Sequence, residues 1–261
     1  MLRNALIASG CVVMVATAAS AQDPQSGASF RDDFKSINPA FWYISDGWNN
    51  GSHQNCTWSR NEVRIDGDNL ALTLTKGKSQ DRDYLCGEIQ TTRRYGYGTY
   101  EARLKVANGS GLNSAFFTYV GPPAQQIHDE IDFEILGKNT SAVQLNQFVN
   151  GKGGNEKFID IGNPADQNFN TYAFVWQPGR LRYFLNGHLV RDVTDGSKVP
   201  TSPQKILFSL WGTDTLTDWM GKFTYSRPVT LEVDWVAFTA AGDKCQFPQS
   251  IVCTLEQLGK R

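Results

Sequence analysis

From Phe30 onward, short runs of alternating apolar and polar residues recur, separated by Gly, Asn, Asp and Pro. Such alternation puts every second side chain on one face, the signature of a strand with one buried side. The runs from Asn69 to Thr75, Gly98 to Val106 and Tyr172 to Trp176 all show it. Leu181 to Val190 reads as a hairpin turning at Asn186-Gly187, two residues that tolerate the positive φ of a tight hairpin turn. No long stretch carries the helical period of about 3.6 residues. Many short strands at this spacing predict an all-β fold, a jelly-roll β-sandwich of two sheets. No internal repeat or low-complexity linker divides the chain, so residues 22–261 are expected to form a single domain. Residues 241–261 change character. There Cys245 and Cys253 bracket Gln246 to Ser250, which predicts a tail clipped into a small loop against the sandwich.

The N-terminus has a different character. Arg3 precedes a mostly small and apolar stretch from Ala5 to Ala18, and Ala19-Ser20-Ala21 fits a small-x-small cleavage site. This predicts an export signal over residues 1–21, with Gln22 the first mature residue. The stretch is too short and Ala-rich for a permanent membrane span. A competing reading, a lipoprotein signal ending at Ser9-Gly10-Cys11, leaves little room for the apolar region before Cys11. Either signal takes the protein out of the cytoplasm, to the periplasm or the medium. There the four Cys outside the signal, Cys56, Cys86, Cys245 and Cys253, are expected to pair. Three connectivities exist, and Cys56–Cys86 with Cys245–Cys253 is the preferred one. The net charge of −1 gives no broad basic field for nucleic acid or an anionic membrane. No zinc-type Cys spacing, P-loop or dinucleotide fingerprint occurs. Aromatic residues reach 12%, enough to furnish stacking surfaces as well as a core.

The run from His128 to Gly137 carries the candidate chemistry. On a strand, Glu130, Asp132 and Glu134 line one face with His128 in the same row, while Ile131, Phe133 and Ile135 line the other. Three carboxylates in a row repel one another, which raises some of their pKa values and favours a protonated acid near neutral pH. Glycoside hydrolysis uses two carboxyl groups in different protonation states, about 5–5.5 Å apart in retaining enzymes. On a straight strand the Cα atoms of Glu130 and Glu134 lie roughly 13 Å apart. Long side chains, twist or a bulge are then needed to bring the carboxyls together, and a wider gap would mean inversion. An acidic edge strand that resists aggregation or binds a cation is the structural alternative.

Asp129 to Glu134, Asp-Glu-Ile-Asp-Phe-Glu, resembles the signature of glycoside hydrolase family 16, and within it the bacterial lichenases, the endo-1,3-1,4-β-glucanases. Further blocks resemble the same group in the same order. They are Asp46 to Gly51 with Asn55 to Trp58, Tyr95 to Gly98 with Tyr100-Glu101, and Phe116 to Tyr119. Tyr172 to Pro178, Leu210-Trp211 with Asp218-Trp219, and Asp234 to Val236 follow. Together they span about Phe30 to Phe238.

The resemblance implies a jelly roll whose substrate lies across a concave sheet, and a retaining endo-β-glucanase acting on mixed-linkage 1,3-1,4-β-glucan or a related bacterial exopolysaccharide such as succinoglycan. It implies Glu130 as nucleophile, Glu134 as general acid and base, and Asp132 between them tuning the nucleophile. Strand parity puts Ser209 and Trp211 on the cleft side, opposite the core stripe Ile206, Phe208 and Leu210. By resemblance Phe117, Tyr119, Trp211 and Trp219 line the cleft, where the alternative for each is core packing. Glu88, which shares a face with Gln90, would bind sugar hydroxyls, Asn146 would lie beside the cleavage point, and Trp48 and Asn50 would contact distant sugars. Cys56 and Cys86 fall where lichenases carry their disulfide. Asp234 matches a position that supplies a carboxylate to a structural calcium in family members; catalysis itself is expected to need no metal. His128 stands where Trp is usual, and Gln54, Gln90, Phe148 and Ser209 replace Phe, Arg, Tyr and Asn, all expected on the sugar-contacting side. These departures leave the polysaccharide open. A monomer is expected. A transglycosylase on the same fold and a noncatalytic glucan-binding module are the competing functions; the latter sits poorly with retention of all three carboxylates.

Overall fold

The computed structural model describes residues 27–79 and 81–260, so the predicted signal and Cys11 lie outside the described residues. The N-terminal half supplies β1 (Phe30–Asp32), β2 (Trp42–Ile44), β3 (Cys56–Trp58), β4 (Val63–Asp66), β5 (Asn69–Ser79), β6 (Arg82–Thr91), β7 (Gly98–Lys105) and β8 (Leu112–Val120). Then come β9 (Asp129–Leu136), β10 (Ala142–Phe148), β11 (Lys157–Asp160), β12 (Asn170–Gln177), β13 (Arg180–Leu185), β14 (His188–Val193), β15 (Lys205–Gly212) and β16 (Val229–Ala240). Two short helices follow late in the chain, α1 (Thr217–Met220) and α2 (Ile251–Gln257).

The strands pair in one continuous path, β11-β10-β9-β8-β15-β6-β5-β16-β7-β12-β13-β14, antiparallel except where β3 joins β6. The path doubles back on itself, so its first half, from β11 to β6, faces its second half, from β5 to β14. This is the expected jelly-roll sandwich. Aromatic side chains fill the space between. Phe116, Phe133 and Phe208 of the front half stack on one another, and Phe133 meets Phe174 and Tyr183 of the back half. Each fully buried Phe stabilises the fold by roughly 1.5–3 kcal/mol relative to an exposed one. Asn186 and Gly187 turn the β13–β14 hairpin with φ of 49° and 81°, as expected. Both disulfides of the preferred connectivity form, Cys56–Cys86 between β3 and β6 and Cys245–Cys253 in the tail.

The tail departs from expectation, because it contains a helix as well as the Cys-closed loop. Ser250 caps α2, its side chain accepting the amide of Val252. Ile251 and Leu255 then bury against Ala173, Val175 and Phe184 on the outer surface of the back sheet. Phe247 covers Trp235, and Arg31 lies over both rings. Glu101 is buried under this tail, accepting from the Ser250 hydroxyl and the Ile251 amide, and burial pushes its carboxyl up to about 7. The tail thus seals the back sheet and leaves the front sheet's outer face open.

Candidate active site

The open face is built on β9. Its core side is apolar, with Ile131, Phe133 and Ile135 fully buried. Its other side carries the acids. Pairing with β8 and β10 sets Glu130 opposite Tyr119 and Phe148, Asp132 opposite Phe117 and Asn146, and Glu134 opposite Ala115 and Gln144. Directly opposed residues share a face, so all of these point into the same cleft. The floor continues across β15 and β6, where Leu207 stands opposite Phe117 and Gln90, and Ser209 opposite Ala115 and Glu88.

Two aromatic walls rise from this floor. On one side His128 stacks on Phe148 with ring centroids 4.7 Å apart and meets Tyr119 at 5.2 Å. On the other, Trp219 of α1 meets Trp211 at 6.2 Å and Trp211 meets His53 at 5.6 Å. Between them is a cavity of about 380 Å³ that holds the three carboxylates with Gln144, Asn146, Phe148, Glu156 and Trp219. A larger hollow of about 580 Å³ beside α2 is lined by no carboxylate.

The three acids are held differently. The imidazole of His128 makes a close Nε2 contact with Oε2 of Glu130. Asp132 is buried between its two neighbours; burial, and then the charges of Glu130 and Glu134, push its carboxyl well above the usual carboxylate range. Glu134 accepts from Asn113 Nδ2 at 2.8 Å on one oxygen and from Gln144 Nε2 at 2.9 Å on the other. Gln144 is itself oriented by Trp219, whose indole N–H donates to its Oε1 at 2.8 Å. Burial pushes the Glu134 carboxyl up to about 7, the charges of Glu130 and Glu156 add to the rise, and the two amide donors oppose it. The result is one buried acid raised well above the usual carboxylate range, one raised to about 7, and a third contacting an imidazole.

The sequence-predicted residues fall into three groups. Phe117, Tyr119, His128, Asn146, Trp211 and Trp219 surround the carboxylates, with Gln90 and Ser209 further along the same floor. Glu88 is placed deeper than expected. It is 3% exposed and accepts from the Ser45 hydroxyl at 2.6 Å; burial pushes its carboxyl up to about 7. Trp48 and Asn50 sit on an exposed loop outside the cavity, Trp48 edge-on to Trp58 and the Asn50 amide donating to Gln54. Gln54 itself corrects the expectation of a sugar contact. It is fully buried, donating to the Cys56 carbonyl and lying over the disulfide sulfurs. Asp234 stands at a bulge in β16, its carboxylate paired with the Arg103 guanidinium. Calcium takes roughly six to eight oxygens, and among the described residues no three acidic, His or Cys side chains cluster to hold a metal ion.

Several site residues escaped the sequence reading. Asn113 and Gln144 grip Glu134, yet a lone amide on a strand carries no signature; only parity with Phe117 and Asn146 could have flagged them. Asp129 opens the acidic run but works structurally, accepting backbone amides from Asn150, Thr201 and Ser202.

Comparison with known proteins decides the family. Residues 50–237 match Glycosyl hydrolases family 16. The chain belongs to this family. Within family 16, it is 60% identical over 229 residues to the endo-1,3-1,4-beta-glycanase ExoK of Rhizobium meliloti, covering 88% of this chain and 85% of that protein. A beta-glucanase of Bacillus subtilis is 38% identical over 90% of this chain and 96% of its own length. In structure, the Bacillus licheniformis beta-glucanase superposes with a TM-score of 0.78 at 38% identity, covering 82% of this chain and 99% of that one. Family 16 membership makes the chain a glycoside hydrolase, and the cleft just described is where its carboxylates converge.

Proposed function

We propose that the protein is a retaining endo-β-glucanase that hydrolyses internal β-glucosidic bonds of mixed-linkage 1,3-1,4-β-glucan or a related exopolysaccharide. The observation that carries this reading is the acidic row Glu130, Asp132 and Glu134 at the bottom of an open, aromatic-walled cleft. An open cleft accepts a chain at any internal point. The relatives named as beta-glucanases and as an endo-1,3-1,4-beta-glycanase support the same substrate class.

In the first step Glu134, protonated below about pH 7, gives its proton to the glycosidic oxygen as the C1–O bond breaks. A Glu130 carboxylate oxygen bonds to C1, so the leaving chain departs with a new hydroxyl. In the second step Glu134, now ionised, takes a proton from water as that water attacks C1. The bond from Glu130 to C1 breaks, restoring both side chains. Two inversions at C1 leave its configuration retained. Asp132, whose carboxyl is pushed well above the usual carboxylate range by burial and then by the charges of Glu130 and Glu134, sits between the two glutamates, and the imidazole of His128 contacts one oxygen of Glu130. Both hold the nucleophile toward C1. Asn146 lines the same cavity opposite Asp132, its Nδ2 directed at Glu156 at 3.5 Å, beside the bond to be cut. Export through residues 1–21 would bring the enzyme to such polysaccharides.

Reducing-end release from mixed-linkage β-glucan by the mature protein, beside a Glu130→Ala variant, tests the reading, with succinoglycan and laminarin as comparison substrates. Cutting that the variant abolishes supports it. Cutting of succinoglycan alone moves the substrate but keeps the mechanism, and cutting that survives Glu130→Ala overturns the assignment.

A further inference from the structure

The floor of the cleft does not end at β6. Strand β2 pairs with β6 so that Tyr43 stands opposite Gln90. Gln90 stands opposite Leu207, Leu207 opposite Phe117, and Phe117 opposite Asp132. Tyr43 is therefore the last side chain of a single row that starts at the central carboxylate. The neighbours of Tyr43 confirm which way it points. Trp42 is 2% exposed and packs on Phe34 and Phe208 of the core, while Tyr43 is 46% exposed. Four strand spacings of about 4.8 Å separate Tyr43 from Asp132, about 19 Å in all. That is the length of several sugar units laid across the strands.

We infer that Tyr43 is a distal sugar-binding platform, stacking its ring on a glucosyl unit several positions from the bond that is cut. This rests on the proposed function, and it adds a binding position at the edge of the cleft. Large exposed aromatic rings are few here: among the described residues only Tyr43 and Trp48 are aromatic side chains of this exposed class besides Phe158. An edge strand gains nothing in solubility from an outward Tyr, whereas the apolar C–H face of a sugar matches an aromatic plane. The polar atoms beside the ring suit sugar hydroxyls. Gln90 receives Lys205 Nζ at 2.8 Å on its Oε1 and turns its Nε2 toward the Ser45 hydroxyl, so a firm polar shelf adjoins the ring. A chain long enough to reach β2 gains this contact, and a shorter chain does not.

The test compares kcat/KM of the wild type, Tyr43→Ala and Tyr43→Phe on mixed-linkage oligosaccharides of stepwise increasing length and on the polymer. Tyr43→Ala should leave the shortest cleavable substrates within about two-fold of wild type and lower kcat/KM by about five-fold or more once the substrate reaches β2. The loss should appear in KM, since the contact is remote from the reacting bond. Tyr43→Phe keeps the ring and should retain most of the wild-type length dependence. A uniform loss at all lengths, or no loss at any length, overturns the platform; a Tm matching wild type shows that the variant is folded. If the wild type cleaves none of these glucans, the proposed function fails and the platform falls with it. If it cleaves them and the length dependence is unchanged in Tyr43→Ala, only the platform fails.

Discussion

Replacing Asn113 by Leu removes one of the two amide donors to Glu134 with little change of side-chain volume. Asn113 is fully buried in β8 and donates to Glu134 at 2.8 Å, while its own Oδ1 has no protein partner. A hydrogen bond to a charged group contributes about 1.5–3 kcal/mol, and one pKa unit corresponds to about 1.4 kcal/mol. Gln144, held by Trp219, still donates to the other oxygen, so the lower end of that range applies. Losing a donor to the carboxylate disfavours its charged form. The Glu134 carboxyl, already raised to about 7, should therefore rise further, by about one unit. In the proposed mechanism Glu134 must be protonated to deliver its proton to the leaving oxygen. The alkaline limb of kcat/KM against pH should consequently move up by about one pH unit. Stability should fall by about 1–2 kcal/mol, because a Glu134 oxygen loses its donor, offset in part by removal of the partnerless Asn113 Oδ1. The assay is initial-rate hydrolysis of mixed-linkage β-glucan across pH, with Tm recorded for the same protein. An alkaline limb that stays put, or moves down, refutes the assignment of Glu134 as the acid and of Asn113 as the residue that tunes it.

Other consequences can be checked independently. Glu134→Ala should lower kcat by about 10²–10⁴-fold on glucan but much less on an aryl glycoside whose leaving group needs no proton; equal losses on both would contradict a proton-donor role. Ile251→Ala, which trims α2 where it packs on Ala173, Val175 and Phe184, should destabilise by about 2 kcal/mol or more in chemical denaturation. It should leave kcat unchanged, since the tail lies on the sheet away from the cleft. Removing the Cys56–Cys86 link, which closes a loop of sequence separation 30, should cost roughly 3–4 kcal/mol, read as a lower denaturation midpoint in the double Ala variant. Glu88, Glu101 and Glu134 have folded carboxyls raised from the ordinary value of 4.5 to about 7. The folded state thus binds their protons more tightly than the unfolded chain. Their contribution is fully present below about 4.5 and is lost as pH rises through about 7. Tm should fall across that window, and Glu101→Gln should flatten part of the fall; a Tm that climbs from pH 5 to 8 would contradict the burial of these acids.

Alternation made the acidic strand readable. Once Ile131, Phe133 and Ile135 are assigned to the core, Glu130, Asp132 and Glu134 must share the opposite face, and the structure places them there. The same parity brought His128 into the row, where it meets Glu130. What parity does not supply is register between strands distant in sequence. Nothing in the chain says that Gln144 stands opposite Glu134, or that Tyr43 closes the row through Gln90, because those pairings are fixed by packing across the whole sheet. Loops were harder still. Resemblance alone puts Gln54 near sugar, but its amide is drawn inward to a carbonyl beside the disulfide. The tail carried a readable signal that two Cys residues overshadowed: Ser250 ahead of Ile251, Val252 and Leu255 is a cap followed by an apolar helical face.

The most direct test of the central claim is the anomer first released when the enzyme cuts mixed-linkage β-glucan, followed by proton NMR before mutarotation. Retention through a Glu130 intermediate predicts that the β-anomer forms first and the α-anomer grows in only slowly. First appearance of the α-anomer would mean a single displacement by water, and would contradict the roles given to Glu130 and Glu134.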